Sequence, residues 1–167
     1  MKRKISVGTV LLLEALVLIF VLVFNLCISW GFGDNILHTF SFLLDLPSIL
    51  LILMMVAPAL LVSGMGKDFL RAFSVGKKDY TLRELKRSLE AVSTVQKIIF
   101  CAAAISGMIA LVTILYQISD VSYLGPCMAV AGLVVLYAAI LEFFLIPVKA
   151  NVQNTITDLM DVEDEEA

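Results

Sequence analysis

Residues 120–148 read DVSYLGPCMAVAGLVVLYAAILEFFLIPV: a turn signal, Gly125 followed by Pro126, then an apolar run whose single charge is Glu142. The run from Pro126 to Val148 is long enough to cross a hydrocarbon core, which needs about 20 apolar residues rising about 1.5 Å each. Working outward, three further windows meet the same requirement: Ile5–Ser29, Leu46–Ser63 and Ile98–Ile118. The expected fold class is therefore an all-α integral membrane protein with four transmembrane helices. The membrane domain covers residues 1–150, with spans at about 5–29, 46–63, 98–118 and 126–148 and a helical linker over 64–97. An acidic tail follows over residues 151–167.

Composition agrees. The chain of 167 residues is 60% hydrophobic and 16% charged, with a mean hydropathy of +0.99. Soluble domains are roughly half apolar and a quarter charged. Lys2, Arg3 and Lys4 resemble the opening of a secretory signal, but the apolar stretch that follows is too long and has no small-x-small cleavage site before Trp30. An uncleaved first span is expected.

Basic residues are distributed unevenly. Of twelve, three precede the first span, eight lie between Lys67 and Lys97, and Lys149 follows the fourth span. The two outer loops carry Asp34, Asp45 and Asp120 and no Lys or Arg. Since positively charged loops stay inside, both termini and the linker are expected in the cytoplasm. The net charge of −3 arises largely from Asp158, Asp161, Glu163, Asp164, Glu165 and Glu166, and this tail is expected to be solvated and mobile.

Several function classes are not expected. His38 is the only histidine, no Gly-rich phosphate loop is present, and no carboxylate pair has acid/base spacing. Cys27, Cys101 and Cys127 lack metal-ligand spacing and read as small packing residues. Enzyme activity, a cofactor, a metal and a nucleic-acid partner are not expected.

Local signals give further detail. Asp45, Pro47 and Ser48 look like a helix start, because a carboxylate can accept from free N–H groups and Pro has no N–H to lose there. Pro58 should remove one backbone bond within the second span and kink it unless neighbours compensate. Phe69, Leu70 and Phe73 alternate with Lys67, Asp68 and Arg71, the pattern of a helix continuing along the membrane surface, and Gly76 to Asp79 break it. Thr81 and Glu84 form a capping box, and Leu82, Leu85, Leu89 and Val92 form a helical stripe leading towards the third span. Lys86 and Glu90 can pair at i,i+4, a contribution of about 0.3–0.5 kcal/mol. The linker is expected to have no hydrophobic core of its own.

In the third span Ala103 and Gly107 are four apart, beside the row Ala102, Ser106 and Ala110. Rows of small residues let helix backbones approach closely. Two carboxylates fall inside spans, Glu14 in the first and Glu142 near the inner end of the fourth. A charge at the bilayer centre costs at least about 2.5–3.5 kcal/mol, so both are functional candidates. Glu142 is placed to reach the interface or to pair with a cation such as Lys149. Ser106, Thr113, Tyr116, Gln117 and Tyr137 can offer oxygens to a water-lined path, or bond their own helices.

The stretch Leu124-Gly125-Pro126, Ala129-Val130-Ala131, Leu136-Tyr137 and Leu145-Ile146-Pro147 resembles the final span of the MotA flagellar stator family, within the MotA/TolQ/ExbB proton-channel superfamily. Phe42-Leu43-Leu44-Asp45-Leu46-Pro47-Ser48-Ile49-Leu50 resembles the start of that family's second span, and Asp68-Phe69-Leu70-Arg71-Ala72-Phe73 the helix just after it. The resemblance covers most of residues 40–150. It implies a ring of A-type subunits, five in the family, around paired single-span B-type subunits whose membrane Asp carries the ion. Ion flow then drives flagellar rotation, in the bacterial cytoplasmic membrane.

On that resemblance, Thr113, Tyr137, Ser106 and Glu142 are the ion-path candidates, and Ala103, Gly107, Ala110, Gly125 and Pro126 the helix-packing candidates. The family's large cytoplasmic domain is largely absent, leaving Arg83, Lys86, Arg87 and Glu90 as candidates for rotor contact. Val134 and Val135 stand where the family often has a Thr pair, so conduction is expected only with a B-type partner present. Two other readings stand beside the A-type subunit: a non-conducting scaffold or regulatory relative that keeps the ring, and a stand-alone small membrane protein.

Overall fold

The computed structural model describes residues 7–30, 46–76, 78, 80–116 and 121–165, with backbone alone at 25–30, 47, 121–123, 126 and 162–165. The outer-loop residues Asp34, His38, Asp45 and Asp120, together with Gln117 and the side chains of Cys27 and Pro126, lie outside the described residues. The described chain is helical, with one isolated bridge between Val75 and Lys78. Its elements are α1 (Val7–Trp30), α2 (Leu46–Val62), α3 (Gly66–Ala72), α4 (Leu82–Tyr116) and α5 (Val121–Glu165).

Three helices, α1, α4 and α5, are long and apolar enough to cross a membrane, and α2 with α3 makes a fourth candidate if that bent pair counts as one broken span. The sharp bend in the pair is not at Pro58, which sits within an uninterrupted α2. It comes at Ser63–Met65, where Gly64 adopts φ +67° and α3 leaves at 111° to α2. A residue without Cβ takes that left-handed conformation at little steric penalty. A second glycine, Gly76 at φ +92°, turns the chain after α3.

The bundle is built on α4 and α5. Buried residues of α4 recur at Leu85, Ser88, Val92, Val95, Ile99, Ala102 and Ser106, alternately three and four apart. That is a heptad seam, the spacing that lets two helices stay in contact while supercoiling gently. The facing residues of α5 are Val134, Ala138, Leu145, Val148, Val152 and Ile156. The two helices run antiparallel, since Gln96 meets Glu142 and Lys149 while Ser106 and Thr113 share a groove with Cys127 and Val134. Against this pair α2 places Ser48 and Ile52, both buried, and α1 places Val7 and Leu11.

At 35 and 45 residues, α4 and α5 are about 52 and 67 Å long, well beyond a hydrocarbon core of about 30 Å. Their polar excess lies at one end, where Asp158 and Asp161 are exposed, but the tail does not begin as a separate segment. Instead α5 continues unbroken through Pro147 to Glu165, because Val148, Val152 and Ile156 fall on one face and are buried with Leu85 and Val92. The linker joins the same core through Ala72 and Val75, so its buried residues belong to the bundle's core. At its other end α5 begins at Val121, before the Gly125-Pro126 turn signal. Proline within a spanning helix removes one backbone bond, which neighbouring polar groups or small local adjustments can offset.

Candidate functional site

Two grooves flank the α4–α5 seam. The larger, about 790 Å³, is bounded among the described residues by α4 and α5 alone. Ala103, Ala104 and Gly107 form one wall, Ala131, Gly132, Ala138 and Ala139 the other, and Glu142 lies at one end. The smaller, about 380 Å³, takes Ser106, Ala110 and Thr113 from α4, Cys127, Val130 and Val134 from α5, and Leu51 from α2. Ala131 lines both grooves; among the described residues the outer one is lined by α4 and α5 alone, whereas the inner one also takes Leu51 of α2.

This division decides how the ion-path candidates relate. Ser106 and Thr113 line the inner groove, and Tyr137 packs against the buried core on the same side of α5 as Val130 and Val134. Glu142 belongs to the outer groove. At about 100° per residue, Tyr137 and Glu142 point roughly 140° apart around α5. The four candidates therefore do not form one polar lining within a single chain. Moreover, the Thr113 hydroxyl donates to the Ile109 carbonyl of its own helix at 2.9 Å, the alternative open to hydroxyls in spans. Of the two adjacent valines, Val134 is buried in the seam and Val135 lines the outer groove.

Glu142 is not isolated. Gln96 of α4 donates from Nε2 to Glu142 Oε2 at 2.9 Å, and its Oε1 accepts from Lys149 Nζ at 3.2 Å. The expected pairing of Glu142 with Lys149 therefore runs through an amide, which satisfies a carboxylate and an ammonium on the turns of α5 before and after Pro147. Gln96 was absent from the expected site. Its signal in the sequence is slight, a lone amide at the polar margin of an apolar run. Glu14 differs: it lies on the side of α1 that carries Val7 and Leu11, and its Oε2 is buried with no hydrogen-bond partner among the described residues.

The packing candidates divide as well. Ala103 and Gly107 line the outer groove and Ala110 the inner one, whereas Gly125 is exposed and lines neither. A Cβ built on Gly107 or Gly132 meets no atom within 4 Å. These glycines are not small because the chain itself crowds them. Cys127 lines the inner groove, but Cys101 is exposed rather than packed within the chain.

At the polar end, Thr81 and Glu84 form the expected reciprocal cap: Thr81 N–H donates to Glu84 Oε2 at 3.1 Å and Glu84 N–H donates to Thr81 Oγ1 at 3.4 Å. Arg71 of α3 ties into this cap. Its guanidinium pairs with Asp68 at 2.7 Å and Glu84 at 3.4 Å and lies 5.6 Å from the centre of the Tyr80 ring. The Thr81 backbone N–H, then its hydroxyl, then the Arg71 charge hold the Glu84 carboxyl below its ordinary pKa. Arg83, Lys86, Arg87 and Glu90 are all exposed, and among the described residues no ion pair joins Lys86 to Glu90.

No family model, curated protein or solved structure matches the chain.

Proposed function

We propose that the chain is an A-type subunit of an ion-driven membrane complex. In this reading it spans the bacterial cytoplasmic membrane four times with both termini inside. It forms a ring, of five by the resemblance, around a B-type single-span partner, and couples proton or sodium flow to flagellar rotation. The supporting observation is the outer groove. Lined among the described residues by α4 and α5 alone, with Ala and Gly residues set among Phe100, Met108, Leu111 and Val135 and with Glu142 at one end, it offers a helix from another chain an apolar surface and a carboxylate to meet with a polar group.

A non-conducting scaffold is the second reading, favoured by the placing of the Ser106 and Thr113 hydroxyls in a different groove from Glu142 and by the back-bonded Thr113 hydroxyl. Ion flux into vesicles separates the two. The chain alone, the chain with a B-type partner, and that pair carrying Glu142→Gln are compared under proton and sodium gradients. Flux from the pair that falls in the variant is expected of a motor subunit. A stable pair without flux under either gradient overturns conduction and leaves the scaffold.

A further inference from the structure

The face of α3 turned away from the bundle has a composition that the ion-coupling proposal does not use. Ala72 of α3 is buried against α4 and α5, with Val75 just beyond it, and Arg71 is held by Asp68 and Glu84. Lys67, Leu70 and Phe73 are exposed and spaced three apart, Leu70 at 69% and about 160° around the helix from Ala72. The exposed Val62 at the end of α2 and Lys78 in the following turn flank this strip. Its orientation follows from the bend. If α2 crosses the bilayer, an element leaving at 111° lies close to the membrane plane and leans back towards it.

Charge follows the same geometry. Between residues 66 and 90 there are seven basic residues against four acidic ones, and two of the acidic four, Asp68 and Glu84, are engaged by Arg71. The opposite sign is concentrated at the far end of α5, where Asp158, Asp161, Glu163, Asp164 and Glu165 lie about 15–25 Å along the helix beyond Lys149. Positive charge is near the bend and negative charge is held away from it. That arrangement suits an anionic surface, whose attraction for Lys and Arg fades within a Debye length.

We propose that α3 is an interfacial helix that binds anionic lipid, with Leu70 and Phe73 entering the boundary between headgroups and acyl chains and Lys67 and Lys78 meeting headgroup phosphates. Short amphipathic elements bind in this way, and the apolar and electrostatic contributions reinforce each other. The inference rests on α2 crossing the bilayer and not on ion coupling.

The test uses the full chain with Trp30→Phe and Leu70→Trp, reconstituted in phosphatidylcholine vesicles with or without phosphatidylglycerol as a minority component. The expected result is blue-shifted tryptophan emission, quenched by brominated lipid and more strongly so with phosphatidylglycerol. Lys67→Glu with Lys78→Glu should return quenching to its level in phosphatidylcholine alone. Inorganic phosphate added to phosphatidylcholine vesicles should not reproduce the shift. A control tryptophan at Arg83, on the exposed side of α4, should stay unquenched, and circular dichroism confirms that each variant is helical. Water-like, unquenched emission from Leu70→Trp in both vesicle types overturns the proposal and leaves the face open to a protein. A response to inorganic phosphate equal to that of anionic lipid overturns it in favour of an anion site.

Discussion

Gly107→Leu tests whether the outer groove is an interface between chains. Inside the chain the substitution has room, since a Cβ at Gly107 meets nothing within 4 Å. Replacing a mid-helix glycine with a good helix former should, on soluble scales, favour α4 by up to about 1 kcal/mol. The isolated subunit should therefore fold as well as wild type or slightly better. If a helix of another chain fills the groove, leucine overpacks that contact, at about 1–3 kcal/mol per interface. Association then weakens roughly 5- to 150-fold per contact, taking 1.4 kcal/mol as tenfold. Light scattering after gel filtration in mild detergent reads the oligomer, and far-UV circular dichroism on heating reads the fold. The expected result is loss of the oligomer with helicity retained, with Gly107→Ala intermediate. An oligomer unchanged in size and dilution behaviour would refute the reasoning and show that the groove faces lipid. Loss of helicity would refute it differently, by showing that the space around Gly107 is filled within the chain.

Four further outcomes are expected. Gln96→Leu leaves the Glu142 carboxylate and the Lys149 ammonium without their shared amide, and should lower stability by about 1–3 kcal/mol in a denaturant titration. Leu85→Ala removes a buried side chain from the seam where the α5 extension packs. It should be destabilising by about 2–5 kcal/mol and raise proteolysis near Ile156. Because Glu84 titrates below its ordinary value in the folded chain, its contribution is present above the ordinary carboxylate pKa and is lost as pH falls through the lowered one. The gap in melting temperature between wild type and Glu84→Gln should accordingly close at acid pH. In cells, single cysteines replacing Asp34 or Asp120 should react with an impermeant maleimide from outside, while one replacing Lys78 should react only after permeabilisation.

What was legible in the sequence was local. The Thr81–Glu84 cap, the Leu82, Leu85, Leu89 and Val92 stripe and the apolar length of α1, α4 and α5 all depend on spacings within a few turns. The extension of α5 carried a signal too, Val148, Val152 and Ile156 at every fourth residue, but the acidic residues around it dominate its composition. Contacts between distant positions were not legible. Gln96 and Glu142 are 46 residues apart, and nothing near either one specifies the other. Nor does the sequence of α4 say that Ala103 and Ala110, only about 20° apart around the helix, line different grooves, because that depends on how α5 and α2 pack along its length.

The two faces of α4 also explain how an oligomer could form without disturbing the subunit. The seam residues from Leu85 to Ser106 keep a heptad register, so they stay against α5 along the whole pair. Phe100, Ala103, Gly107 and Leu111 have the same three- and four-residue spacing but are displaced around the helix, and they wall the outer groove. A helix entering that groove therefore adds to the seam contacts without replacing them. From Gly107 to Lys86 is 21 residues of continuous helix, about 32 Å. Under the stator reading, a displacement imposed at the groove reaches the exposed Arg83, Lys86, Arg87 and Glu90 through one packed rod, with no flexible joint between. The compact linker then need not contain a separate domain to pass motion on. The Arg71 contact with Glu84 fastens α3 to the same rod, while Asp68 holds the guanidinium from within α3, so any movement of α4 relative to the lipid surface must either carry α3 with it or break the Arg71–Glu84 pair.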